Sequence, residues 1–351
     1  MKDLVFDCER MKYPHTGLYY YCLQLGKALQ QQLNNEKERV SFYVRPGHQK
    51  AFGNDANYIQ QRSADKLWMP VKGYDVWHTT YQATNYFPFR KKIKVVFTVH
   101  DLNVIHENKM GPRRLKKELK KIQKRLDRAD HIIAISEFTL ADLKRHLDIG
   151  DTPATVIYNG CNIQASHMIL PPQQRVKGDF LYTLGTINPK KNFHVLPCLL
   201  EGNNRTLVIS GVTDDEAYKE KIKEEARKYH AEDRLIFTGP VDENEKYRLM
   251  QDCEAFVFPS LAEGFGLPVI EAMHFGKPVI LSALTALPEI GGNAAFYFTG
   301  FDPYAMKKVL ADSLKAYAAD AGMPEKIKAR AAVFTWEAAA KKYLEVYRSF
   351  Y

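Results

Sequence analysis

PSLAEGFGLPVIEAMHFGKPVI, residues 259–280, carries the densest signal in the chain. It continues the apolar run 255–258, which reads as a strand, and passes into a helix beginning near Leu267 and Pro268. Proline suits the first turn of a helix because its missing N–H has no partner there. Gly264 and Gly266 let the backbone come close to a ligand. The helix N-terminus offers N–H groups suited to a phosphate. Glu263 lies in the loop before the helix and Glu271 about one turn into it. At this spacing both carboxylates can face one cleft, near opposite ends of an elongated ligand. An ordinary strand–loop–helix connection with surface carboxylates uses the same residue types, and a glycine-rich loop alone is weak evidence.

Working outward, short β-rich runs alternate with helical stretches, the pattern of a parallel α/β protein. In the second half strands are expected at 180–184, 206–210, 235–238, 255–258, 279–281 and 295–298. The first half gives strands at 4–8, 40–44, 76–79, 94–99, 131–135 and 155–158, and helices at 17–33, 113–129 and 140–147. QASHMILPPQQRVKGD, residues 164–179, reads as a linker around Pro171-Pro172. It divides the chain into a domain over 1–170 and another over 171–335. In a last helix, Trp336, Ala340, Tyr343, Leu344 and Tyr347 recur at helical spacing as one apolar face. Ligands of doubly wound sheets sit outside the carboxyl ends of the strands. Two such domains facing each other would hold a substrate between them.

Length and composition agree with two domains. The chain has 351 residues, 45% apolar and 26% charged, which suits two buried cores. No apolar stretch reaches bilayer-spanning length. The opening MKDLVFDCER carries charge where a signal peptide is apolar, so a cytoplasmic protein is expected. Cys8, Cys22, Cys161, Cys198 and Cys253 are scattered without metal-ligand spacing and read as reduced thiols. The net charge of +9 is uneven: residues 1–170 hold 27 Lys/Arg against 17 Asp/Glu, the remainder 23 against 24. A basic half can meet nucleic acid, an anionic membrane surface or an anionic acceptor.

Two further segments bear on that charge. In LYTLGTINPKKNFHVL, residues 181–196, a strand ends at Gly185, and Lys190 and Lys191 precede a helix expected to be capped near Asn192. Lysines there can neutralise a diphosphate, or be solvated surface charges. Residues 113–128, RRLKKELKKIQKRLDR, contain nine Lys/Arg and two Asp/Glu, with Leu115, Leu119, Ile122 and Leu126 as a narrow apolar stripe. This reads either as an amphipathic helix docking on anionic lipid or as a core-facing stripe under a solvated face. No nucleic-acid recognition motif accompanies it, and no nucleic-acid partner is expected.

Together these segments resemble glycosyltransferase family 4, the retaining enzymes of GT-B fold. The E-x7-E element is Glu263 to Glu271; ALPEIGGNAAFYF (286–298), FTGPVDENEKYRLMQDCEAFVF (237–258), His15-Thr16-Gly17, TVHDL (98–102), AISEF (134–138) and YNG (158–160) also match. The resemblance covers nearly the whole chain. It implies two doubly wound Rossmann-like domains facing each other across a cleft, with the helix over 336–351 packing back on the first. It places Glu263 near the donor sugar, Glu271 on the nucleotide ribose, and Gly266 and Leu267 amides at the donor sugar and diphosphate. Lys191 matches the diphosphate lysine. Thr186 stands where many members have arginine, and Lys190 falls on a subgroup's arginine position. Gly185 and Thr186 line the donor site, Gly17 approaches the donor phosphates, and His100, beside Asp101, approaches the reaction centre. A histidine at a strand end is otherwise a structural hydrogen-bonding residue. Ser136 and Glu137 shape the cleft floor and cap the next helix.

The function expected is retaining glycosyl transfer from a nucleotide sugar to a glycan or lipid-linked acceptor of cell-surface polysaccharide or glycolipid synthesis. The segment GTINPKKN resembles the version in mannosyltransferase-like members, which favours GDP-mannose. No D-x-D motif is present, so neither a metal nor any other cofactor is expected. Alternatives are a nucleotide-sugar epimerase, a sugar phosphorylase, or a basic peripheral-membrane or nucleic-acid-binding scaffold of the same fold. Intact Glu263, Glu271, Lys191 and His100 argue for the transferase. Peripheral attachment to the inner face of the cell membrane would run through 113–128.

Overall fold

The structure, a computed structural model, describes residues 1–351 apart from 15, 35, 90–91, 107–109 and 164–175. The chain forms two compact units. One comprises Met1–Asn162 and Phe334–Tyr351, the other Ile163–Val333.

The first unit is built on seven parallel strands, β1 (Lys2–Asp7), β2 (Glu38–Val44), β3 (Asn57–Gln60), β4 (Val76–Thr79), β5 (Lys94–Val99), β6 (His131–Ala134) and β7 (Ala154–Val156), in the order β3-β2-β1-β4-β5-β6-β7. Central strands buried on both faces have no polar side to show, and VVFTV in β5 and VWHT in β4 are of that kind. On one face Phe6, Phe42, Val76 and Val96 pack against Tyr21, Cys22, Leu25 and Leu29 of the helix Gly17–Gln32. The same cluster takes in Trp336, Ala340, Tyr343, Leu344 and Tyr347 of the helix Trp336–Arg348. That helix is also joined to the sheet by polar contacts. The Tyr347 hydroxyl lies 2.7 Å from His78 Nδ1, and the Tyr343 hydroxyl 2.8 Å from that of Tyr21 and 3.1 Å from Thr98 Oγ1. The opposite face packs Trp77, Val95, Phe97 and Ile132 against Ile122 and Leu126 of the helix Pro112–Leu126.

The second unit has six parallel strands, β8 (Phe180–Leu184), β9 (Thr206–Ser210), β10 (Leu235–Gly239), β11 (Ala255–Phe258), β12 (Val279–Ser282) and β13 (Phe296–Phe298), in the order β10-β9-β8-β11-β12-β13. Leu181, Leu207, Ile209, Ala255, Val257 and Ile280 face Tyr218, Ile222, Met306 and Leu310. Asp215 caps the helix Glu216–Lys228 by accepting from the Tyr218 N–H.

Several expectations shift. The expected linker lies largely outside the described residues, as does the 170/171 boundary; the chain leaves the first unit between Asn162 and Ile163 and returns between Val333 and Phe334. β3 was not expected: NYIQ is a polar edge strand with neither alternation nor an apolar run. No α-helix follows Asn192. That residue adopts φ 58° and separates two 3-10 turns, Pro189–Lys191 and Phe193–Leu200. Pro197 within the latter lacks the N–H an α-helix needs. Ser136 caps the helix Glu137–His146 through the Thr139 N–H.

Candidate active site

Parallel doubly wound sheets open a crevice where consecutive strands leave the centre in opposite directions. In the second unit β8 leads outward through β9 to β10, and β11 then returns to β8's other side, so the switch lies between β8 and β11. Both motifs emerge at that place, Gly185 to Lys191 after β8 and Glu263 to Glu271 after β11. Glycines end three adjacent strands here. Gly185, Gly211 and Gly239 have φ of 154°, 139° and 72°. A Cβ on Gly211 would sit 2.1 Å from the Gly185 carbonyl oxygen, and one on Gly185 would sit 2.9 Å from Lys191 Cε. The sheet end is therefore bare backbone, crossed by the stem of Lys191. Thr186 beside it is exposed.

Lys191 Nζ donates to Glu263 Oε1 at 2.6 Å and lies 4.8 Å from the Phe258 ring centroid. The same Glu263 oxygen accepts from Ser260 Oγ at 2.6 Å, and the Glu263 N–H donates to Thr285 Oγ1. The Lys190 carbonyl accepts from the Leu261 N–H at 2.9 Å, which ties the lysine turn to the glutamate loop. Burial pushes the Glu263 carboxyl up, but Lys191 and Lys190 outweigh it and hold it below its usual range. A lysine ammonium carries three N–H donors, so contact with Glu263 is compatible with a phosphate oxygen at the same nitrogen. Gly266, at φ 98°, caps the eight-residue helix Leu267–His274, and Leu267 and Pro268 form its first turn. The motif segment thus folds as its glycines and proline require.

The second motif carboxylate meets a different lysine. Glu271, 2% exposed, accepts from Lys246 Nζ at 3.0 Å, and Lys246 comes from the helix Glu243–Asp252. Being within the helix rather than the loop turns Glu271 toward this neighbouring helix.

In the first unit, Thr16 caps the helix Gly17–Gln32 by accepting from the Tyr19 N–H, which places Gly17 exposed in its first turn. His15 lies outside the described residues. His100 follows β5, is 6% exposed, and donates from Nε2 to the Thr80 carbonyl at 2.8 Å; Nδ1 is then the unprotonated nitrogen. Burial pushes the His100 imidazole down to about 4, and Arg10 adds to the shift, so it is neutral at pH 7. Gln82 accepts from the His100 N–H and donates to Asp101, which in turn accepts from the Asn103 N–H. His100 is thus a tightly held group. The basic helix divides along its length: Ile122 and Leu126 are core, whereas Leu115 and Leu119 are half-buried, and Arg125 donates to the carbonyls of Lys121 and Thr84.

Sequence reading missed Lys246, Gln82, and the Ser260–Thr285 bracket around Glu263. It could have found Gly211, because β8, β9 and β10 each run into a glycine. Among the described residues no three His, Cys, Asp or Glu side chains group as a metal cluster, and no helix is long and apolar enough to cross a membrane.

Two all-parallel Rossmann-like sheets, with a lysine–glutamate pair at the switch point of the second, are the architecture expected of a GT-B glycosyltransferase. Comparison with known proteins places it further. Residues 171–333 match the family described as glycosyl transferases group 1, and residues 19–165 match glycosyltransferase family 4. The chain belongs to these glycosyltransferases. It is 25% identical to O-antigen chain mannosyltransferase B of Escherichia coli, over 98% of this chain and 99% of that one. It is 31% identical to the serotype-specific mannosyltransferase WbdA of Escherichia coli over 60% of this chain, a match spanning only 28% of WbdA. The structure of Anabaena Alr3699/HepE in complex with UDP and glucose superposes with a TM-score of 0.76 at 18% identity, covering 99% of this chain and 100% of that one.

Proposed function

We propose that the protein is a retaining mannosyltransferase that draws mannose from GDP-mannose and adds it to a growing cell-surface glycan or lipid-linked acceptor. The observation carrying the donor site is the Lys191–Glu263 pair at the glycine-ended switch point between β8 and β11. Similarity to O-antigen mannosyltransferases supports the sugar and the acceptor class.

In this reading the donor diphosphate lies against Gly185, Thr186, Lys190, Lys191 and the amides at Gly266 and Leu267. Glu263 orients the sugar hydroxyls and Glu271 binds the ribose. Gly17 is assigned to phosphate binding, and His100 to orienting groups near the reacting sugar. The acceptor hydroxyl attacks C1 from the face the phosphate leaves. The C1–phosphate bond breaks, the C1–acceptor oxygen bond forms, and the hydroxyl proton passes to the departing phosphate. Lys190, Lys191 and the helix N-terminus hold the negative charge that develops, so no metal is required. The exposed basic face of 113–128 would meet an anionic membrane by charge, since half of its apolar stripe is already core.

The deciding experiment incubates the protein with GDP-mannose and UDP-sugars in EDTA and determines the product anomer by NMR. An α-linked product from GDP-mannose is expected. A β-linked product would overturn the retaining mechanism, an absolute metal requirement the leaving-group assignment, and exclusive use of another donor the sugar.

A further inference from the structure

Lys246 and Glu271 form an ion pair whose side chains are 11% and 3% exposed, where the helices Glu243–Asp252 and Leu267–His274 meet. Lys246 Nζ also lies 4.4 Å from the Tyr247 ring centroid. Removing two charges from water is costly, and a well-packed apolar pair does as well or better for stability. A buried pair linking two helices therefore asks for a reason other than stability. Glu271 supplies one, since it is the carboxylate placed above on the donor ribose. A vicinal diol presents two O–H donors, and a carboxylate turned toward it receives both, whereas a rotated side chain does not.

We propose that Lys246 is a positioning residue for the donor nucleotide: it holds the Glu271 carboxylate in the one orientation that accepts both ribose hydroxyls. Its ammonium engages Oε1 at 3.0 Å from a neighbouring helix, so the carboxylate is gripped from outside its own helix. Asp242 stabilises the first turn of the Lys246 helix by accepting from the Glu245 N–H, and Tyr247, wholly buried beside Lys246, anchors it against Phe275. The lysine is thus presented from a firm base. The inference rests on the reading of Glu271 as the ribose ligand, and the test separates the two.

Affinities are measured by calorimetry for whichever of GDP, UDP and ADP binds most tightly, and for its 2′,3′-dideoxy form, on wild type, Lys246→Met, Lys246→Gln and Lys246→Arg. Wild type should lose roughly tenfold in affinity on removal of the hydroxyls, the scale of hydrogen bonds to a charged group. In Lys246→Met, binding of the parent nucleotide should fall by about the same factor, and the difference between parent and dideoxy forms should vanish. Lys246→Gln should behave likewise, and it keeps the test alive if the methionine variant fails to fold. Lys246→Arg should restore discrimination. A merely structural lysine would weaken both nucleotides equally and keep their ratio, and that result overturns the proposal. Equal binding of the two forms by wild type removes instead the ribose role of Glu271, and no binding by any nucleotide removes the donor site with it.

Discussion

Replacing Gly185 by alanine tests the donor site through a residue that carries no functional group. The new Cβ would stand 2.9 Å from Lys191 Cε, 3.3 Å from Cδ and 3.5 Å from Cγ. These are side-chain atoms, so the lysine yields rather than the sheet. To regain ordinary carbon–carbon separation its tail must retreat by roughly 0.6–1 Å. That displacement should lengthen or break the 2.6 Å contact between Lys191 and Glu263. A shift of this size at the group proposed to hold the leaving phosphate costs up to about a hundredfold, so kcat/KM for sugar transfer should fall roughly 10- to 100-fold. Alanine at φ 154° adds strain of about 1–2 kcal/mol, a modest loss of stability. The assay pairs transfer kinetics and calorimetry of nucleoside diphosphate binding with a melting curve, on Gly185→Ala, Lys191→Ala and the double variant. If the glycine acts through the lysine, the double variant should match Lys191→Ala. A folded Gly185→Ala enzyme with kcat/KM within about twofold of wild type, or losses that multiply in the double variant, would refute the reasoning.

Glu263→Gln keeps the shape but removes the charge facing Lys191, and should lower kcat more than donor affinity; an equal loss in both would make it a plain binding residue. Stability should fall on mild acidification, because His78 and His100 are pushed by burial to about 3 and about 4. Their folded values lie below the usual 6.5, so the unfolded chain takes up protons first as pH drops below it, at up to about 1.4 kcal/mol per pH unit for each ring. Urea unfolding at pH 7.5 and 5.5 measures this, and equal stabilities would mean the rings are not held neutral. Changing Lys116, Lys117, Lys120 and Lys121 to glutamate should abolish sedimentation with anionic vesicles at low salt without altering the melting temperature. Equal sedimentation of variant and wild type would leave that face merely solvated.

The strands most legible in the sequence were those buried on both faces. Val76–Thr79, Lys94–Val99, Phe180–Leu184, Thr206–Ser210 and Ala255–Phe258 stand at the expected residues, because a short β-branched and aromatic run between turns has few other uses. Asn57–Gln60 escaped notice because an edge strand need not be apolar. A helix is expected after Asn192 from that residue's capping character, and the 3-10 form is decided by Pro197 and the left-handed backbone of Asn192. Spacing alone indicated that Glu263, Gly266 and Glu271 belong to one loop and helix. It could not show that Glu263 meets a lysine 72 positions earlier, since the strand order brings them together. Lys246 was illegible for a different reason. Its helix, ENEKYRLMQD, has the charge of a surface helix, and nothing in it marks the lysine that turns inward.

The helix Trp336–Arg348 belongs to the same unit as β1, although a whole second unit lies between them in the chain. All of Ile163–Val333 is synthesised in between, which at about 5–20 residues per second takes roughly ten to thirty seconds. Throughout that interval Phe6, Tyr21, His78 and Thr98 wait without the side chains that will cover and hydrogen-bond them. The second unit, whose residues are contiguous, can mature first although it is made later. The order of folding along the nascent chain would thus run against the order of translation, and the incomplete first unit is the species a chaperone would meet.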